Sequence, residues 1–304
     1  MTFFWSWIGR QGRAFRFWRQ RQKIRRLFNR EVGFEGDFEN PKTHWEKVQY
    51  RKLYGNHEFY GRRADKLLVR DYVREGVGEE VLVPLFGVHD RLDEKILDGL
   101  PGSFVIKVSN ASGWNEVVHD KEKMDYRRTI RYFNRKVKRN FSRNCGEVHY
   151  DYSESKILIE SLLLAEAGEL PWDLNFYCYN GSKGFDYCVH ATSADRVFEG
   201  HFYRNETLIE GNLAPGMIET HLRTENFDRM LEIARELSRG IDFVRVDLYN
   251  VCGKIFFGEL TFTTSAGFKV YHNPALNELR DTMWELDRAN PMLYRDPAAV
   301  RAGR

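Results

Sequence analysis

The chain has 304 residues, 42% of them apolar and 30% charged, enough for a well-buried core in one large domain or two to three small ones. A net charge of +3 hides an asymmetry: residues 1–30 carry nine Arg or Lys and no acid, so the remainder is net acidic at −6. Cys145, Cys178, Cys188 and Cys252 lack any Cys-x-x-Cys or Cys/His spacing, which argues against structural zinc and suits a reducing compartment, and no run approaches the 18 apolar residues of a membrane span. These bounds point to a soluble cytoplasmic protein.

Residues 1–38 read as a basic, aromatic arm. The segment "AFRFWRQRQKIRRLFNR" gathers Phe17, Ile24, Leu27 and Phe28 on one helical face amid cations. Such a face lies on an anionic membrane, with Phe3, Phe4, Trp5 and Trp7 as interfacial anchors, or it packs on the body or a second subunit. No recognised nucleic-acid motif accompanies the charge, so nucleic acid is not an expected partner. In residues 39–100, "NPKTHWEKVQYRKLYG" predicts a helix capped by Asn40, with Pro41 at its first position and Gly55 beyond its end. "RADKLLVRDYVREGVG" predicts a second helix, "EVLVPLFGV" a short strand, and 91–98 a charged helix.

Residues 101–160 open with the strand of "PGSFVIKVSNASG", which runs into a loop of small and hydroxyl residues. A long basic helix is predicted over 121–141, then a buried strand in "SKILIESLLL". In residues 161–285, "DLNFYCYNG" and "GFDYCVHAT" read as paired strands, "NFDRMLEIARELSRG" as a helix ended by Gly240, and "FVRVDLYNVCGKIFFGELTF" as a hairpin. Residues 286–304 read as a tail. Helices alternating with hairpins imply an α+β fold on antiparallel sheets rather than a doubly wound parallel sheet.

The last hairpin carries the chemistry. Strand alternation puts Arg245 and Asp247 on one face, opposite Val244, Val246 and Leu248, and groups Glu259 with Thr261 against Phe256, Leu260 and Phe262. A loop centred on Cys252 sets Arg245 opposite Glu259 with Asp247 diagonal, close enough for two carboxylates to share hard cations. An ion-paired solvent face is the plain alternative. Lys107 ends a strand beside "VSNASG", as phosphate-holding lysines do, or is simply solvated. Glu160 is a strand-end charge or marks a hinge. His190 and His201 read as structural or acceptor-pocket residues, and Arg196 and Arg204 as solvated or as grips for an acidic substrate.

In order, "ADKLLVRDYV", "LPGSFVIKVSN", "ILIE", "PWDLNFYCYNG" and "FVRVDLY…KIFFGELTF" resemble the ATP-grasp superfamily, and within it the teichuronopeptide-biosynthesis (TupA-like) family, over about residues 40 to 270. The resemblance implies two α+β subdomains whose antiparallel sheets clasp a nucleotide, a lid at 101–160 and a catalytic subdomain at 161–285. It implies that Lys66 and Lys107 hold ATP phosphates under a lid running from Ser109 through Ser112 to Gly113. Glu160 and Leu162 would line the adenine pocket, and Asp173 would face the ribose or a metal. Asp247, Glu259 and Thr261 would bind Mg2+, and Arg245 would steady an acyl phosphate. Thr261 stands where the superfamily often has asparagine, and Asn175 where a lysine is expected.

The implied activity is an ATP-dependent carboxylate–amine ligase acting on small-molecule or glycan substrates, such as a sugar carboxylate of a surface polysaccharide; the basic arm adds a peripheral place at the inner face of the membrane as an expectation. Alternatives are a kinase on the same scaffold or a non-enzymatic basic, membrane-associated binding protein. A glycosyltransferase is disfavoured by the lack of an Asp-x-Asp motif.

Overall fold

A computed structural model describes residues 2–166, 168–182, 184–192, 201–204, 207–210, 226–270 and 273–303. The first helix, α1 (Thr2–Val32), lays one face on the body: Ile24 and Phe28 are fully buried, and Phe17 packs on Tyr54 at 5.7 Å between centroids. Packing on the body is thus the fate of Ile24, Phe28 and Phe17; among the described side chains of α1 the exposed aromatics are Phe15 and Trp18, and the side chains of Phe3, Phe4, Trp5 and Trp7 lie outside the described residues. No helix of the described residues is long and apolar enough to cross a membrane.

Helix α2 (His44–Tyr54) begins at Thr43, three residues after the expected cap. Glu46 reaches back to accept from the Thr43 and Lys42 N–H groups, while Thr43 Oγ1 accepts from Glu46 N, a capping box that outcompetes Asn40 and leaves Pro41 outside. Every residue of α2 is buried, polar ones included. That is tolerable because the polar groups find partners: Lys47 Nζ donates to the Asp281 and Trp284 carbonyls, and Gln49 Nε2 to those of Ala266 and Gly267.

The second predicted helix is broken. Helix α3 (His57–Ala64) stops, and α4 (Val69–Val77) starts after a turn, because Asp65 Oδ1 accepts from the Leu67 and Leu68 N–H groups. The chain then builds a four-stranded antiparallel sheet from β1 (Leu85–His89), β2 (Phe104–Val108), β3 (Asn115–Val118) and β4 (Ile157–Glu160), in the order β1-β4-β2-β3. Strand β3 is not anticipated by the sequence pattern. Helices α5 (Glu94–Asp98) and α6 (Tyr126–Lys136) cover one face, with Phe133 of α6 packed among Phe104, Ile106 and Ile159. Asp125 caps α6 and sets its start, so the helix is about half the predicted length.

A second antiparallel sheet has six strands in the order β10-β9-β5-β6-β7-β8. They are β5 (Asp173–Gly181), β6 (Gly184–Thr192), β7 (His201–Arg204), β8 (Thr207–Glu210), β9 (Phe243–Val251) and β10 (Lys254–Thr261), with α7 (Phe227–Leu237) between β8 and β9. The short strands β7 and β8 are not anticipated; Arg196 lies outside the described residues, as do the side chains of His201 and Arg204. After α8 (Pro274–Met283), the stretch expected as a tail is packed: Leu293 and Tyr294 are buried and α9 (Pro297–Arg301) rests on α1.

The β9–β10 register corrects the expected one. Asp247 is paired with Glu259 and Arg245 with Thr261, because a bulge at Gly258 inserts one residue. A Cβ there would stand 3.0 Å from the Tyr249 ring and 3.2 Å from the Asp247 carbonyl, so the close approach needs glycine. The bulge also shifts the phase of β10, so Phe257 rather than Phe256 joins Leu260 in the core.

Arg51 of α2 fastens the base of this hairpin. Its guanidinium pairs with Asp242 at 2.5 Å and donates to the carbonyls of Phe243 and Phe262, at the two strand ends, under the Trp284 ring. Removing one partner of such a fully buried pair strands the other charge. Asp242→Ala is expected to cost about 3–5 kcal/mol in denaturant unfolding; a loss below about 1 kcal/mol would show that the pair does not fasten the hairpin.

Candidate functional site

Directly paired residues of antiparallel strands share a face, so the register defines one polar surface. Across it run Thr261, Arg245 and Tyr177; then Glu259, Asp247, Asn175 and His190; then Tyr249 and Asp173. The opposite face, with Val244, Val246 and Leu248, is core. Asp247 and Glu259 therefore lie side by side on one face. Arg245 holds both: two bonds to Asp247, at 2.7 and 2.5 Å, and one to Glu259 at 3.1 Å. Thr261 Oγ1 donates to Glu259 at 2.9 Å.

The four-stranded sheet supplies the facing cations. Lys107 on β2 lies 2.5 Å from Glu160 of β4, on the face opposite α6, and Arg70 stands 3.7 Å from the same carboxylate. Lys66 is set by the Asp65 turn. Its Nζ donates to the Ala111 carbonyl at 2.7 Å and sits 3.4 Å from Glu259, so one ammonium ties the β2–β3 loop to the second sheet.

That loop divides into an anchored root and a free tip. Ser109 is fully buried; its hydroxyl donates to Asp65, as does that of Ser153, and its carbonyl accepts from Lys66 N. Asn110 donates to the carbonyls of Tyr150 and Ser153. Ser112 and Gly113 are exposed, and Gly113 turns the chain at φ +69°. Of the expected lid residues, Ser112 and Gly113 are exposed and Ser109 is not, its hydroxyl being spent on Asp65.

The carboxylates differ sharply in acidity. Burial pushes Asp247 well above the ordinary range, and Asp173 and Glu259 add to the rise although Arg245 opposes it. Asp173 is raised to about 6 by burial, against the pull of Arg245 and the Asn175 amide. Burial also works against ionised Glu259, but Lys66 and Arg245, with the Thr261 hydroxyl and Lys107, bring it down to about 2. The Asn175 amide lies beside Asp173, yet among the described residues neither Asp173 Oδ1 nor Asn175 Nδ2 makes a well-formed hydrogen bond.

The anticipated charged residues thus converge: Lys66, Lys107, Glu160, Asp173, Arg245, Asp247 and Glu259, and Arg70, which the sequence reading does not single out, joins them at Glu160. Leu162 lies half-buried just past β4, where Ser161 N donates to the Pro84 carbonyl. Asp65, Tyr177 and Tyr249 are missing from the sequence reading, and Asn175 figures there only as a departure. Strand alternation along "DLNFYCY" carries the signal for Asn175 and Tyr177, which share a face with Asp173. Asp65 has none, since its partner Ser109 is 44 residues away.

Two antiparallel sheets, with carboxylates on one facing lysines and a small-residue loop from the other, form the ATP-grasp architecture. Residues 46–280 match the family described as TupA-like ATPgrasp, and the chain belongs to that family. No curated protein matches it. Among solved structures, it is similar to D-alanine–D-alanine ligase from Helicobacter pylori, at 14% identity and TM-score 0.43, over 74% of this chain and 61% of that one. It is also similar to phosphoribosylamine–glycine ligase from Thermotoga maritima, at 11% identity and TM-score 0.39, over 66% and 48% of the two chains. A third is a RiPP-associated ATP-grasp ligase from Chryseobacterium gregarium in complex with ADP and a leader and core peptide, at 10% identity and TM-score 0.34, over 74% and 60%. The chain spans less than two thirds of the length of each.

Because the Asp173 charge raises Asp247, neutralising Asp173 removes a like charge and must ease ionisation of Asp247. Carboxyl-carbon NMR titration of Asp173→Asn is expected to show Asp247 titrating at lower pH than in wild type. Lys66→Ala should move Glu259 the other way, upward from about 2. Unchanged midpoints in both variants would refute this electrostatic picture.

Proposed function

We propose that the chain is an ATP-dependent carboxylate–amine ligase that forms an amide through an acyl phosphate. The observation carrying this reading is the direct pairing of Asp247 with Glu259 on one sheet face, with Lys66 bridging Glu259 to the facing loop. Family membership supports nucleotide use by such a face.

In this reading Lys66 and Lys107 exchange their carboxylate partners for ATP phosphate oxygens, and backbone N–H groups of Ser112 and Gly113 cover them. Glu160 and Leu162 border the adenine, and Asp173 faces the ribose or a metal. The candidate ligands Asp173, Asp247, Glu259 and Thr261 offer only oxygen atoms, and buried Asp173 Oδ1 is unsatisfied among the described residues, a set that fits Mg2+. No group of three ligating side chains is gathered for one ion among the described residues, which also fits Mg2+ held by one or two carboxylates plus phosphate oxygens. When bound, Mg2+ offsets charge on the phosphoryl group in transfer. Arg245, released from sole duty to Asp247 and Glu259, steadies the acyl phosphate, and an amine then displaces phosphate. No side-chain nucleophile is required; positioning and electrostatics do the catalysis.

The proposed acid is a sugar carboxylate of a surface polysaccharide or its precursor, joined to an amino acid or other amine at the cytoplasmic face of an anionic membrane. ADP and phosphate release with Mg-ATP, screened over acid and amine pairs, tests the chemistry. Release that needs both co-substrates is the expected result; release with one acceptor and a phosphorylated product identifies a kinase. No thermal shift with Mg-ATP returns the protein to the non-enzymatic reading. Asp247→Asn and Glu259→Gln are each expected to lower turnover about 100- to 1,000-fold while leaving the circular dichroism spectrum unchanged.

A further inference from the structure

Two basic segments far apart in sequence meet in space, and the ligase reading uses neither. The first is α1. Its outward side presents Phe15 and Trp18, 58% and 54% exposed and stacked at 6.0 Å between ring centroids, beside exposed Arg16, Arg19 and Arg26. None of these three arginines has a carboxylate partner among the described residues. The second segment is residues 126–146, which hold eight Arg or Lys and no Asp or Glu. Arg127, Arg131, Arg135 and Lys138 follow helical spacing along the exposed side of α6 and its continuation. They too have no carboxylate partner among the described residues.

The segments are joined at Lys23, whose Nζ donates to the Arg143 carbonyl, and at Gln20, which donates to that of Gly146. From Arg143 basic residues line two adjoining clefts, while a third, shared by Lys138 and Arg139, also holds Asp90, Asp151 and Glu154. Trp114, Lys136, Lys138, Arg139 and Arg143 line one cleft, and Lys138 with Arg91, Arg127, Arg131 and Arg135 lines the next, where Glu94 is the lone acid. Crowding of like charge shows at Lys136, whose ammonium lies 4.3 Å above the Trp114 ring. Burial, then the nearby Arg139 and Arg135, lower its affinity for a proton.

We infer that α1 and α6 form one docking surface for an anionic lipid membrane, so that the four-stranded sheet carrying Lys107 is itself held against the bilayer. This deepens the membrane reading given above for residues 1–30, and it does not depend on the ligase chemistry. The charge complements an anionic leaflet, and the stacked Phe15 and Trp18 rings supply the apolar anchor that a purely electrostatic partner would not need. Since α6 covers the face of its sheet opposite Lys107, docking leaves the nucleotide side open.

Flotation with phosphatidylcholine vesicles containing about 30% phosphatidylglycerol, a composition in the range where juxtamembrane cations act, tests this with the full chain and no nucleotide. Wild type should bind these vesicles, release them as salt rises, and ignore pure phosphatidylcholine. Phe15→Ala with Trp18→Ala should weaken binding. Neutralising Arg127, Arg131 and Arg135 together to Gln should weaken it roughly 100-fold, at about 1 kcal/mol per cation, with an unchanged melting temperature and unchanged Mg-ATP turnover. Binding by the triple variant equal to wild type would overturn the role of α6. Retention on heparin with no partition onto vesicles would assign the surface to a soluble polyanion and overturn the membrane docking. Because the readout is lipid binding without nucleotide, failure of the ligase reading would leave this result standing.

Discussion

The buried ion pair between Arg51 and Asp242 is the constraint from which the site's geometry follows. A fully buried pair gains little net stability over an apolar substitute, because both ions surrender their hydration. What this pair supplies is position. The guanidinium spends its remaining donors on Phe243 and Phe262, one residue at each open end of the β9–β10 hairpin. With both ends held by one planar group, neither strand can slip by a residue, and a slip would send Asp247 or Glu259 to the core face. Tyr294 completes the arrangement by donating to the second Asp242 oxygen at 2.7 Å, which is how the C-terminal segment comes to be packed.

The same helix governs how the chain leaves the hairpin. Just past β10, Ser265 and Ala266 adopt φ of 49° and 52°, an arrangement that costs non-glycine residues roughly 1–3 kcal/mol each. Gln49 and Lys52, on either side of Arg51 in the chain, offset that strain by donating to the Ala266 carbonyl, and Gln49 also reaches Gly267. Helix α2 is thus buried and polar for a reason: its side chains are backbone ligands that shape the β9–β10 hairpin from beneath.

Local information in the sequence goes a long way and then stops at identifiable places. The bounds of β5 and β6 are legible because alternation and the Asn180-Gly181 turn agree. The polar face of β9 is legible because Arg245 and Asp247 interrupt an otherwise apolar strand. The β9–β10 register is not, since a bulge depends on whether Gly258 is needed for a close approach, and that approach is to the ring of Tyr249 on another strand. The break at Asp65 is hidden for a similar reason. Its carboxylate serves two backbone donors locally and two serines far along the chain, and only the first half of that role is local. Helix α1 shows the limit of composition: its apolar face reads equally as membrane-facing or body-facing, and Ile24, Phe28 and Phe17 lie against the body.

Charge balance across the site explains why it can be stable when empty and still accept a highly charged ligand. Four carboxylates, Glu160, Asp173, Asp247 and Glu259, are gathered with four cations, Lys66, Arg70, Lys107 and Arg245, so the interior is close to neutral. Phosphates arriving alone would draw Lys66 and Lys107 from Glu259 and Glu160 and leave those carboxylates uncompensated in a poorly solvated place. Divalent cations arriving alone would face Arg245 and Lys66 already seated on the acids. Under the proposed function, a nucleotide carrying its own cations would replace both sets of partners together, so each half of the ligand would make room for the other. That is a coupling between two ligands through shared protein charges, and by linkage it acts equally in both directions. The site's selectivity for the pair over either member would then reside in these pre-formed salt bridges, with no larger movement of the fold required.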